Sequence, residues 1–232
     1  MLKEEKKDFI LLQINDALFP IGAYSHSYGL ETYIQKNLVS TEEEAWGFIY
    51  KRLRYGFAYN EFLSASLAYS MAERNDLEGL KRLEEILAAS RVPREIRQAG
   101  YKLGSRFIKT VKVLDIPYEN DCFINYCKMQ EGKHVTHSLI YGIFCGSSGI
   151  DYQRSMETYL YAQTSSMVTN CVKTIPLSQT SGQKLLYKSH ELYHEILELL
   201  PKLKEEDLCM STPGFDIRCM QHEGLYSRIY MS

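Results

Sequence analysis

Apolar residues recur along this chain at helical spacing, and turn residues mark where each run begins and ends. Ser40, with Glu43 three residues on, predicts a capped helix start, after which Ala45, Phe48, Ile49, Leu53 and Phe57 share a face. Asn75 or Asp76 predicts the cap of a second run carrying Leu77, Leu80, Leu83 and Leu87. Pro93 suits the first turn of a third, where its missing N–H would be unpaired anyway. Ile96, Leu103, Phe107, Val111 and Leu114 form the buried stripe there, and Pro117 stops it. Ser155 opens a further helix through Leu160, Met167, Val168, Cys171 and Val172, closed by Pro176; another carries Leu185, Leu192, Ile196 and Leu200 before Pro201. No alternating run bounded by hairpin turns reads as a strand, and no repeat or Gly/Ser linker divides the chain. The expectation is an all-α protein, a single multi-helix domain over residues 1–232. Gly142, Gly146 and Gly149, four and three apart, would leave a strip free of side chains where another backbone packs closely.

Composition narrows the possibilities. With 27 basic and 29 acidic residues the formal charge is −2, which gives no support for a nucleic-acid or membrane-surface binder. No stretch reaches the ~20 apolar residues of a membrane span, and Met1 to Asp8 has no apolar core of a secretory leader. Six cysteines without a CxxC pair read as reduced thiols of a cytoplasmic protein. Eighteen tyrosines against one tryptophan suit both helix packing and protein interfaces.

The search for chemistry finds little. There is no GxxxxGK(S/T) loop, and Gly146-Ser-Ser-Gly149 lacks the lysine such a loop needs; GxSxG and HExxH are absent too. Ser25 beside His26 is not evidence of a nucleophile and its base, because such pairs are recognised by spatial geometry. His190 and His194 share a helix face, as do Cys219 and His222, but two ligands fall short of a firm transition-metal site. A packed or solvated pair is the plainer reading of each, with Cys219 and His222 left as weak metal candidates for transient Ni(II) contact. Cys122 and Cys127 read as buried thiols. No catalytic residue and no firmly bound cofactor is expected. The competing class is an α-helical small-molecule enzyme holding a cofactor in a bundle cavity through His26 or His137.

Several phrases, in order, resemble the urease accessory protein F family. They are LFPIGAYSHSYGLE at 18–31, PREIRQAGYKLGSRF at 93–107, and His137 with Tyr141-Gly142. Then come YLYAQTSSMVTNCVKTIPLSQTSGQKLL at 159–186 and the ending QHEGLYSRIYMS, with the last two blocks nearest to Helicobacter-like members. The resemblance implies an all-helical, non-enzymatic adaptor in the cytoplasm that tends to dimerise. It implies partners as well: a second accessory protein called H or D, the accessory GTPase G, and apo-urease, to which the assembly delivers Ni(II) with GTP hydrolysis by G.

The same resemblance assigns roles by position. Residues 222–232 would be a docking tail, with Tyr226, Ser227, Arg228, Tyr230, Met231 and Ser232 on the H/D partner; packing within its own domain is the alternative. Arg154, Tyr159 and Tyr161 would lie at the contact between two copies, although a buried tyrosine is equally compatible with 161. Glu31 and Lys173 would face the GTPase, or else serve as ordinary salt-bridge partners. Pro20 and Gly22 make a tight turn whatever else they do, since Pro fixes φ and Gly permits φ above zero; with Ser25 and Gly29 they form a structural motif leading to a helix starting near Ser25.

Overall fold

The computed structural model describes residues 3–210 and 212–232 and is helical throughout its regular parts. In chain order the helices are α1 (Glu4–Ile14), α2 (Leu30–Gln35), α3 (Glu42–Lys51), α4 (Leu63–Glu73), α5 (Leu77–Ser90), α6 (Arg94–Val113), α7 (Cys122–Met129), α8 (His137–Ser147), α9 (Tyr152–Thr174), α10 (Gln179–Leu199) and α11 (Pro213–His222). A π-helical stretch, Arg52–Phe62, joins α3 to α4, so that Leu63 N–H reaches back five residues to Ala58 O. The fold is all-α, as the periodicity predicted.

Side-chain caps start several helices, and two of them differ from the sequence reading by a few residues. The α3 box is Thr41 with Glu44: Glu44 N–H donates to Thr41 Oγ1 at 3.2 Å, while the Glu44 carboxylate also takes Ser40 N–H at 2.8 Å. Ser40 therefore sits one residue outside. For α9 the cap is Asp151, which accepts from Arg154 N–H at 2.9 Å, and Ser155 lies inside the first turn. Asp76 caps α5, accepting from Gly79 N–H at 2.8 Å. Pro93 stands at the N-cap of α6 rather than within it, and Leu114 closes that helix 37% exposed, outside the buried stripe.

At the centre lies α8, buried along its whole length, as expected of a helix apolar all round. Its closest neighbour is α4. A Cβ on Gly142 would overlap the Ala65 carbonyl, and one on Gly146 would come within 2.7 Å of Tyr69 O, so the two backbones touch where side chains are missing. Gly149 is not part of that strip; it follows the helix with φ +63° and lies against the Glu119 carboxylate. Around α8 an aromatic cluster closes the core: Tyr141 stacks on Tyr159 at 4.4 Å between ring centroids, and Phe144 meets both Phe107 and Phe123 edge-on. One contiguous set of buried apolar residues runs from Leu11 to Leu208.

The segment before α2 is held by special backbone. Gly22 has φ +82°, and Ser25 Oγ donates to Gly22 O at 2.7 Å, closing one 3-10 turn at Ala23–Ser25. The helix expected near Ser25 starts only at Leu30, because Tyr28 and Gly29 are both left-handed (φ +54° and +85°) and break the run. Gly29 has a second constraint: a Cβ there would press on Cys219 of α11 at 3.0 Å. Among the described residues no helix is long and apolar enough to cross a membrane.

Candidate functional site

The chain ends in a strip laid across the first motif, and buried carboxylates hold it there. His222, the last residue of α11, has no exposed surface; its Nδ1 lies 2.7 Å from Glu95 Oε2 and its Nε2 2.9 Å from Glu31 Oε2. Each ring nitrogen thus has a carboxylate oxygen within hydrogen-bond distance. The remaining acceptor capacity goes to the tail. Arg228 Nη1 donates to Glu95 Oε1 at 2.7 Å, Ile229 N–H to Glu31 Oε1 at 2.7 Å and Tyr230 N–H to Glu31 Oε2 at 3.0 Å. Two carboxylates thus share one imidazole, one guanidinium and two backbone N–H groups, a network buried at Glu31 and His222 and open to solvent at Arg228.

Beyond the network the main chain finishes the attachment. Met231 N–H donates to Ser25 O at 2.8 Å, Ser27 N–H donates to Ser232 O, and Gln35 Nε2 donates to Ser227 O at 2.8 Å. His26 Nδ1 meets Ser232 Oγ at 2.8 Å; burial pushes this histidine down to about 4, so the ring is neutral near pH 7. Side chains of the extended strip alternate with period two. Tyr230 and Ser232 point in, 6% and 2% exposed, while Ile229 and Met231 point out at 73% and 53%. Tyr226, just upstream, is fully exposed. The outcome is a ledge of apolar side chains on a backbone fixed from below.

This arrangement sorts the residues singled out by sequence. Tyr226, Arg228 and Met231 present surface, whereas Tyr230 and Ser232 pack within their own domain. Glu31 does not face outwards: it is buried, and its carboxylate is spent on His222 and the tail backbone. Lys173 is exposed in the last turn of α9. Of the residues expected between two copies, Tyr161 is half exposed and Arg154 is outward, 3.4 Å from Glu157 and 3.8 Å from Asp8. Tyr159 differs; it is core, stacked on Tyr141 and edge-on to Phe62. It and Tyr161 line a cavity of about 530 Å³ between α9 and the segment 12–28.

The metal candidates Cys219 and His222 are likewise engaged inside. Cys219 is buried against Gly29, and burial raises its thiol, keeping it protonated; both nitrogens of His222 are taken. Among the described residues no three His, Cys, Asp or Glu side chains gather as a metal site. Burial pushes His137 down to about 4, and it packs on Phe107 and Tyr159 at the edge of the cavity between α9 and the segment 12–28, with its Nε2 unpartnered among the described residues. His190 and His194 lie on the exposed face of α10, the latter 3.2 Å from Glu198. Sequence reasoning missed Glu95, the second carboxylate of the network, although it stands inside the PREIR phrase already singled out.

An all-helical body with a fixed apolar ledge is the build of a protein that works by binding other proteins. Comparison with known proteins agrees. The family described as UreF matches residues 39–190, and the chain belongs to that family. It is similar to a urease accessory protein UreF of Bacillus sp. (strain TB-90), 34% identical over 224 residues, covering 96% of this chain and 97% of the relative. A second, from Sporosarcina pasteurii, is 33% identical over 88% of this chain and the whole of its own. A third, from Lachnoclostridium phytofermentans, is 32% identical over 96% and 97%. These relatives are named accessory proteins, and the chain is not an enzyme. The 39–190 match includes Glu95 but leaves out Glu31 and the tail, whereas the Bacillus and Lachnoclostridium alignments cover nearly the whole chain.

Proposed function

We propose that this chain is an adaptor in urease maturation. It joins the H/D accessory protein and the accessory GTPase G into an assembly that hands Ni(II), as cargo, to apo-urease with GTP hydrolysis on G. Family membership supports the setting, and one observation supports the manner: the tail lies with Tyr226, Ile229 and Met231 outward on a backbone pinned through Glu31 and Glu95. A docking strip already ordered loses less conformational entropy on binding than a loose terminus would. The outward residues are the H/D contact in this reading, with Arg228 beside them. Tyr230 and Ser232 act from beneath by holding the strip.

Two copies pair through the outward face of α9 at Arg154 and Tyr161, next to the cavity that Tyr159 lines. Lys173 presents its charge to G, while Glu31 serves G only through the tail it anchors. The work is done cytoplasmically, and the chain holds no resident cofactor.

The test is the double variant Ile229→Asp/Met231→Asp, which alters outward side chains only. Co-expressed with H/D, it should lose the complex on size exclusion while its helical circular dichroism stays that of the wild type. Undiminished complex formation overturns the tail assignment. Lys173→Glu should leave the H/D complex intact and weaken recruitment of G.

A further inference from the structure

Away from the tail, a cavity of about 190 Å³ opens between the π-helical stretch, the turn joining α5 to α6, and the first turn of α11. Two arginines line it, and both are about nine-tenths buried or more. Arg52 is 6% exposed; its guanidinium lies 4.8 Å from the Phe215 ring centre and 5.3 Å from that of Phe57. Its Nε has no hydrogen-bond partner among the described residues, and it forms no ion pair among them. The side chain of Arg91 is 9% exposed; Nη2 lies 2.9 Å from Glu61 Oε1 without hydrogen-bond alignment, and Nε is unpartnered.

Stacking on rings satisfies the faces of a guanidinium; in its plane Arg52 approaches the Cys219 thiol and keeps Nε unused. A buried donor left unpaired is costly, and a second one beside it more so. The carboxylates at hand do not remove the surplus. Glu61 meets only one edge of Arg91, and Glu84 on α5 accepts both of its hydrogen bonds from Thr136. Asp216, across the cavity, is within ion-pair distance of neither arginine, and burial holds its carboxyl above the ordinary value. We propose that this cavity is a binding site for a compact oxyanion, received by the in-plane donors of Arg52 and Arg91. The guanidinium fork matches the spacing of phosphate and carboxylate oxygens. At 190 Å³ the space is below the ~300 Å³ of sites for drug-sized ligands, so a phosphate- or acetate-sized anion fits and a nucleotide does not. Bound there, the anion bridges the π-helical stretch and the α5–α6 turn to the start of α11, the helix that carries His222.

The site is tested on the full chain by thermal unfolding during titration with inorganic phosphate, with sodium chloride matching the ionic strength. The melting temperature should rise saturably by about 3 °C above the chloride control. A parallel acetate series decides between tetrahedral and planar anions. Hydrogen exchange should slow across residues 212–222 when phosphate is present. Arg52→Met, which keeps a polarisable chain under the rings, should abolish the rise, as should Arg91→Met/Glu61→Gln, which removes both members of the pair. A phosphate response equal to chloride, or one unchanged in variants with wild-type circular dichroism, overturns the proposal. Should the variants fail to fold, wild-type crystals grown with selenate decide: an anomalous peak within hydrogen-bond reach of both arginines supports the site, and its absence there overturns it.

Discussion

The pair α4–α8 and the C-terminal tail are both firmly attached, but by opposite means. Where α4 meets α8, two backbones approach at Gly142 and Gly146, and the contact is close packing with one buried hydrogen bond, Ser64 Oγ to Ser138 Oγ at 2.7 Å, and no charged group involved. The tail is attached largely by hydrogen bonds, three to two carboxylates and four to the first motif and Gln35, with Tyr230 packed inward and Ile229 and Met231 facing out. Close-packed backbone cannot be loosened by degrees, whereas an ion network can be undone by removing one member without disturbing the core. The body is therefore a rigid platform, and the tail is a separately attached part whose outer surface is available to a partner.

The largest effect should come from breaking the first kind of contact. Gly142→Leu drives a side chain into the Ala65 carbonyl, and neither helix can retreat because α8 is enclosed on every side. Destabilisation of at least about 4 kcal/mol is expected, read as a global fall in the urea midpoint by circular dichroism. An unfolding free energy within about 1 kcal/mol of the wild type would show that the interface is looser than its geometry.

Next comes the tail network. His222→Ala leaves the Glu31 and Glu95 carboxylates without the ring that joins them. A loss of about 3 kcal/mol is expected, confined to the tail. Amides 226–232 should exchange rapidly while those of α8 keep wild-type protection. If α8 loosens equally, the two regions are one cooperative unit and the comparison fails.

The same contrast decides what was legible in the sequence. Helices with an apolar stripe, such as α5 and α6, were read closely, since periodicity is written in neighbouring residues. Cap positions slipped, from Ser40 to Thr41 and from Ser155 to Asp151, because several residues that can cap stand together and only backbone geometry selects one. The Gly142–Gly146 strip was visible by spacing, yet Gly149 was wrongly grouped with it, as a positive φ leaves no pattern in sequence. The tail was recognised through its resemblance to a family, but its mode of attachment was not. Glu31, Glu95 and His222 are far apart in the chain, and nothing local says that a glutamate ends up enclosed instead of solvated. Tyr159 is a similar case: tyrosine suits core and interface alike, and its packing on Tyr141 is a long-range contact that no local pattern shows.

A pH titration separates the two regions with a smaller effect. Glu84 of α5 is buried and takes two hydrogen bonds from Thr136 at the start of α8, from N–H at 2.9 Å and from the hydroxyl at 2.6 Å. Burial outweighs those bonds and raises its carboxyl from 4.5 to about 7. Folding then binds a proton between those values, so the stabilising contribution is complete below about 4.5 and is lost as pH rises through about 7. Glu84→Gln keeps an acceptor for the Thr136 amide and a donor for its hydroxyl while removing the titration. The variant should be the more stable one at pH 8, by about 2 kcal/mol, and should approach the wild type at pH 5. Acid acts elsewhere as well: His26 and His137, both held down to about 4, oppose folding as pH falls below 6.5, and His26 lies under the tail while His137 lies in the core. The alkaline limb is thus the discriminating one. Hydrogen exchange at pH 8 should show the α5–α8 contact loosened and the tail unchanged, with Glu84→Gln restoring the former. Equal loosening of the tail would tie its network to the core and erase the distinction between platform and docking strip.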